Sequence, residues 1–180
     1  MKVLLDTCVL YPTVMREMLL GVAGQGAFTP LWSARILEEW ARAARKLGPG
    51  GEVQARAEIA MVEVAWPDAA VTWPPSLESR LWLPDPADLH VLAAAIAGSA
   101  DVIVTMNAGD FPRNILAEEG LSRADPDAFL LGHWKARPDM VAYVGNQVLA
   151  EARRLSGEEW DIRGLMKKAR LPRLGKALAA

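Results

Sequence analysis

Hydrophobic residues along this chain follow two alternating patterns, short unbroken blocks and longer stretches with helical spacing. Residues 2–5 (KVLL) form the first block and read as a buried strand. Pro12 can open a helix, and residues 13–23 then set Val14, Met18, Leu19 and Val22 on one face. Residues 27–31 make a second strand, and Ser33 can cap a helix running to about residue 46 through Ile36, Leu37 and Trp40. The Gly-Pro-Gly-Gly run at 48–51 breaks the chain. Residues 52–66 are again amphipathic, with Val53, Ala57, Ala60, Met61 and Val64 recurring at helical intervals, and residues 71–73 are weakly strand-like before Pro74-Pro75. Asp85-Pro86-Ala87-Asp88 introduces an alanine-rich helix over 89–98, followed by a strand at 101–105 and a last short one at 121–124. The remainder reads as helical, punctuated at Asp125-Pro126, at Pro138 and at Ser156-Gly157-Glu158-Glu159, where Ser-x-x-Glu has the spacing of a capping box.

Short apolar strands alternating with helices predict an α/β fold with a parallel sheet. In such sheets ligands sit outside the carboxyl ends of the strands, where the strand order reverses. Asp6 follows the first strand as Asn107 and Asp110 follow a later one, so these polar groups are expected at one edge.

Composition narrows the class. The 180 residues suit one domain with an added helical tail, and 52% hydrophobic against 23% charged residues supplies a core without a disorder signature. Cys8 is the single cysteine, so no internal disulfide is expected, as in a reducing cytosol. The first apolar run stops at Asp6, short of a secretory h-region. No run approaches the ~20 residues that span a bilayer, so a soluble cytoplasmic protein with no membrane partner is expected. The net charge of −2 gives no global sign of nucleic-acid affinity. From residue 162 onward, however, Arg163, Lys167, Lys168, Arg170, Arg173 and Lys176 stand without an acid. That basic end suits phosphate, and equally the solvated face of terminal helices.

Four acids have defined addresses: Asp6 closes a strand, Glu39 lies in a helix beside Trp40, Asp88 opens a helix, and Asp110 follows a strand. Each has a plainer reading. Asp88 can be a helix-start residue, Asp110 a turn former, and Glu38 and Glu39 are interchangeable on spacing alone. Asp6, closing a buried strand, needs a partner. If the four converge, their repulsion raises some pKa values unless a divalent cation intervenes. Oxygen ligands suit Mg²⁺ or Mn²⁺. With only His90, His133 and Cys8 as softer ligands, a zinc site is not expected. The histidines read as ordinary helix residues and Cys8 as a buried thiol. The seven tryptophans read mostly as core or interface anchors.

Taken together, LLDTCVLYP, WSARILEEW, DPADLHVLAAAI and VIVTMNAGDFP resemble, in order and spacing, the PIN-domain family over about residues 1–129. The resemblance implies a three-layer α/β/α PIN-like domain over 1–130 and a C-terminal helical extension over 131–180, packed on it. It implies a metal-dependent ribonuclease, with VapC-like toxins of toxin–antitoxin pairs among the relatives. The acidic set then falls on Asp6, Glu39, Asp88 and Asp110, holding Mg²⁺ or Mn²⁺, with Asn107 and Thr105 orienting the site. In many relatives the position of Asn107 is itself an acid, which here is displaced to Asp110. A neutral Asn adds no charge, and the rival reading of a weak or inactive PIN-fold binding module in a regulatory complex follows from it. Arg16 is the candidate contact to RNA phosphate, or else an intrachain partner of an acid such as Glu17. The family further implies a homodimer and, for toxins, an antitoxin partner. A small-molecule phosphohydrolase is disfavoured, because LLDTCVL lacks a second Asp two residues after the first.

Overall fold

A computed structural model describes all residues from 1 to 180. In chain order the elements are β1 (Lys2–Leu5), α1 (Thr7–Leu10), α2 (Thr13–Gly24), β2 (Thr29–Leu31), α3 (Ala34–Ala43), α4 (Gly51–Ala65), α5 (Pro75–Ser79) and α6 (Leu89–Ala97). There follow β3 (Val102–Val104), α7 (Arg113–Glu118), β4 (Ser122–Ala124), α8 (Pro126–Ala136), α9 (Pro138–Ser156), α10 (Ile162–Lys168) and α11 (Pro172–Leu178). Single 3₁₀ turns cover Ala44–Leu47, Pro86–Asp88 and Ala108–Asp110. The chain divides into two compact units: Met1–Tyr11 with Thr29–Ala124, and Pro12–Phe28 with Asp125–Ala180. The expected boundary after residue 130 falls inside α8, and α2 groups with the C-terminal helices.

The first unit is an α/β fold on a four-stranded parallel sheet of order β2-β1-β3-β4. Val3, Leu4, Leu5, Ile103 and Val104 are fully buried, as both faces of a parallel sheet require. Pro30, which has no N–H to donate, is tolerated because β2 is an edge strand. Strand order reverses between β1 and β3, which run side by side with Leu5 opposite Val104. That register places Asp6 and Thr105, the residue following each strand, at the same carboxyl edge. Helix α6 packs on β1 and is buried from His90 to Ala95. The alanines are what let so much of a helix surface lie against its neighbours.

Local chemistry explains most boundaries. The Ser33 hydroxyl accepts from the Ile36 N–H at 3.2 Å and starts α3, as expected. Helix α1, which the apolar pattern does not announce, is started by the Asp6 carboxylate accepting from the Thr7 N–H at 2.7 Å. Pro12 precedes α2 rather than occupying its first turn. Residues 71–73 form no strand; a lone bridge joins Trp32 to Ala70. The spacing at Ser156 is not a capping box, since Ser156 ends α9, Gly157 turns the chain at φ 69°, and Asp161 caps α10 by accepting from the Gly164 N–H. On α4 the apolar series points outward: Val53, Met61 and Val64 are 72%, 73% and 82% exposed, whereas Ala55 and Ile59 face the core. Two apolar faces on one helix make periodicity ambiguous about which is buried.

In the second unit α2 packs on α9, α8 on α9 and α11, and α10 on α11. Phe28, Phe129 and His133 stack edge-to-face and tilted within about 4.7–5.7 Å of one another. Buried Asp127 accepts from the N–H groups of Arg173 at 3.0 Å and Leu174 at 2.9 Å, satisfying donors at the start of α11. No helix of the chain is long and apolar enough to cross a membrane.

Candidate active site

At the carboxyl ends of β1 and β3, Asp6 is 5% exposed and its charge is met by three donors. The Thr7 N–H donates to Oδ1 at 2.7 Å, while the Thr105 hydroxyl donates to Oδ2 at 2.8 Å and the Cys8 thiol at 3.4 Å. These donors compensate burial of the carboxylate. Burial and the charge of Asp6 push the Cys8 thiol up to about 11, so it stays protonated and acts as a hydrogen-bond donor rather than a nucleophile. The Thr105 oxygen also accepts from the Asn107 N–H at 3.0 Å, which ties the turn after β3 to the end of β1.

Glu38 and Glu39, equivalent by spacing, are not equivalent in space. Glu38 pairs on the surface with Arg56 and Arg42, and their hydrogen bonds lower its carboxyl to about 2. Glu39 turns the other way. Its Oε2 accepts from the Thr7 hydroxyl at 3.2 Å, and its Oε1 accepts from His90 Nε2 at 2.9 Å. Arg35 stands 3.6 Å away. His90 is 1% exposed, its Nδ1 has no hydrogen-bond partner, and burial lowers its pKa. The neutral ring with hydrogen on Nε2 is therefore the form that meets Glu39.

Asp88 sits at the start of α6, and its side chain makes no capping bond there. Burial raises its carboxyl from 3.8 to about 6, with further contributions from the charges of Asp6, Asp110, Asp85 and Glu39. All four sequence-selected acids thus share one electrostatic neighbourhood. Asp110 ends the 3₁₀ turn Ala108–Asp110, and its N–H donates to the carbonyl of Asn107 at 3.0 Å. From β4, the Arg123 guanidinium donates to the carbonyls of Ala108 and Phe111, on either side of Asp110. The side chain of Asn107 is exposed. Arg16, on α2 of the second unit, is only 5% exposed, which favours the intrachain role over a phosphate contact.

Thr7, Cys8, His90 and Arg123 are the site's unexpected members. Thr7 and Cys8 were signalled only by adjacency to Asp6, and His90 by lying two residues after Asp88; nothing in the sequence marked Arg123. As placed, no three His, Cys, Asp or Glu side chains form a ready metal cage. The donor chemistry nevertheless fits a hard divalent ion that retains water and needs one or two carboxylates. The proton held by Asp88 up to about pH 6 marks the negative charge such an ion would neutralise.

The sequence model of the PIN domain matches residues 2–109, which run from β1 past β3 and stop one residue short of Asp110. Neither the curated proteins nor the solved structures give a match. PIN domains are commonly nucleases that act on RNA and generally use divalent metal ions. The match covers more than half of the chain, including β1, β2 and β3 and, of the four acids, Asp6, Glu39 and Asp88, so the chain belongs to the PIN domain family.

Proposed function

We propose that the protein is a Mg²⁺- or Mn²⁺-dependent endoribonuclease that hydrolyses single-stranded or looped RNA. The observation that carries this reading is the PIN-domain match over a parallel sheet whose carboxyl edge holds buried Asp6, fixed by Thr7 and Thr105, and the raised Asp88 carboxyl agrees with it. A surface network would pair such acids with cations, as Glu38 is paired with Arg42 and Arg56. Asp6, Glu39, Asp88 and Asp110 would hold the ion directly or through water. When bound, it supplies Lewis acidity and lowers the pKa of bound water.

The chain's own residues do the rest. Thr105, Cys8 and the Thr7 N–H fix Asp6, while His90 and Thr7 fix Glu39. Arg123 holds the turn that presents Asp110. Water attacks phosphorus in line, a carboxylate of the set takes its proton, and the bond to the 3′ oxygen breaks as that oxygen gains a proton from solvent. Asn107, exposed beside Thr105, orients water or substrate through its amide. Exposed Lys167, Lys168 and Arg170 of the second unit offer backbone phosphate contacts.

The outward apolar stripe of α4 supports a homodimer. In an antiparallel pairing of two copies about a two-fold axis, Val53 meets Val64 and Ala57 meets Ala60. For a toxin role with an antitoxin, support comes from a cleft of ≈ 430 Å³ in the second unit, walled by Met15, Leu155, Trp160 and Leu165. A catalytically weak binding module is the second reading, and Asn107 favours it. Asp6→Asn decides between them. The variant should fold and lose RNA cleavage in Mn²⁺; cleavage at the wild-type rate, or none by wild type, refutes the enzyme assignment.

A further inference from the structure

The first unit contains a cavity of ≈ 410 Å³ walled by Arg80, Leu81, Trp82, Leu92, Asn114 and Ile115, with Glu118 and Glu119. Its volume lies within the range of small-molecule sites. Trp82 is the outlier among the tryptophans. Trp32 and Trp40 are fully or nearly fully buried, whereas Trp82 is 66% exposed, with its indole at the cavity wall. Unsupported exposure of a ring this size is costly, and an aromatic face beside a cavity is what a flat ligand stacks on.

The position of the cavity is set by the same segments that carry the chemistry. Leu92 follows Asp88 by four residues on α6, so it lies on the same helix face about 6 Å further along. Asn114 follows Asp110 by four residues. Trp82 precedes Asp88 by six, and its segment is clamped to the end of α7 by Arg80, which donates to both oxygens of Glu119 at 2.6 and 3.2 Å. The clamp occupies the cavity's guanidinium. Among the rim groups, Asn114 offers a donor and an acceptor, and Glu118 is acceptor-only; both are exposed. A lining of one exposed tryptophan and the aliphatic Leu81, Leu92 and Ile115, with an amide and a carboxylate among them, suits a nucleobase, which has both a π-face and a hydrogen-bonding edge.

We infer that this cavity is a nucleobase subsite: Trp82 stacks on an unpaired base next to the scissile phosphate, and Asn114 and Glu118 read that base's edge. The inference rests on the ribonuclease reading above and adds to it the element that selects the cleavage position. It explains why single-stranded RNA is the substrate, since a paired base cannot enter.

The test uses Asp6→Asn protein in Mg²⁺ buffer, so that RNA is held and not cut, with a single-stranded hexaribonucleotide and its counterpart lacking one central base. Trp82→Ala should weaken binding of the intact strand by roughly 5- to 150-fold, the span of one lost base–aromatic stack. Trp82→Phe should recover most of it, and the indole N–H resonance of Trp82 should shift on titration. The base-lacking strand should bind Trp82 and Trp82→Ala proteins alike. Equal affinity of Trp82→Ala for the intact strand, an unmoved indole resonance, or no binding of either strand overturns the subsite. Cleavage by otherwise wild-type protein is scored separately. RNA cut normally by Trp82→Ala leaves the nuclease standing without the subsite, whereas Trp82-dependent binding without any cleavage leaves a base pocket and removes the nuclease.

Discussion

Replacing Asp88 with Asn removes one member of a repelling set while keeping the side chain's size. Burial and the charges of Asp6, Asp110, Asp85 and Glu39 lift this carboxyl from 3.8 to about 6. The folded state therefore holds the proton more tightly than the unfolded chain. The destabilisation is absent below the unfolded value, grows as pH rises from 3.8 to about 6, and is complete above that. The full shift corresponds to about 3 kcal/mol; because the side chain is partly open to water, screening reduces this to about 1–2 kcal/mol. Asn forgoes a favourable charge at the start of α6, about 0.3–1 kcal/mol. The net gain for Asp88→Asn at about pH 7.5 is on the order of 1 kcal/mol, or roughly 2–4 °C in Tm for a chain of this size. Thermal melts of both proteins in EDTA at about pH 4 and about pH 7.5 measure it. The variant should melt higher at the upper pH and no higher at the lower. Excess Mg²⁺ should raise the wild type more than the variant, because bound cation neutralises the same charge. A variant that melts below wild type at about pH 7.5 in EDTA, or shows the same gain at both pH values, refutes the convergence of acids at this edge.

Thr105→Val removes the hydroxyl that donates to Asp6 and accepts from Asn107, leaving two polar groups short of a partner. Chemical denaturation should show a loss of about 1–3 kcal/mol, with Thr105→Ser restoring both stability and cleavage; a neutral Val substitution contradicts the geometry. His90, its pKa lowered mainly by burial, should remain neutral to lower pH than a free imidazole. Its contribution to stability is thus present above about pH 6.5 and lost as pH falls through the lower folded value. Imidazole nitrogen resonances of His90 followed across that range should show hydrogen on Nε2 and a midpoint below that of a free histidine, and a midpoint at or above it contradicts the assignment.

The centre of the parallel sheet was legible because β1 and β3 are buried on both faces, so they appear as short apolar blocks that need no periodicity to find, whereas the edge strands Thr29–Leu31 and Ser122–Ala124 do not. The same block rule erred at residues 71–73, where the chain contributes a single bridge. Helix α4 shows the limit of the helical pattern. Val53, Ala57, Ala60, Met61 and Val64 were evident, but Ala55 and Ile59 on the opposite side are the residues that meet the core. Periodicity reports that a face is apolar; which apolar face is covered depends on contacts remote in sequence. The Ser-x-x-Glu spacing at 156–159 misled for a similar reason, since Gly157 at positive φ ends a helix where the spacing would start one.

The four acids were legible as residues but not as roles, and the difference lies in the groups that hold them. Asp6 is the buried anchor, with three donors fixed by the pairing of β1 with β3. Glu39 is held by a threonine and a histidine whose meeting depends on how α1, α3 and α6 come together. Asp88 is the one left carrying the repulsion, and Asp110 depends on an arginine from the last strand. No local spacing encodes those supports, because each joins segments about 30 to 100 residues apart or crosses a turn. The inequality has a consequence for the chemistry. On the proposed reading, an ion entering this edge would find Asp6 and Glu39 already oriented by hydrogen bonds, whereas Asp88 would have to release its proton below about pH 6 to join them. Cation affinity should therefore fall with acid sooner than free carboxylates would dictate, and Asp88 is the residue that sets where.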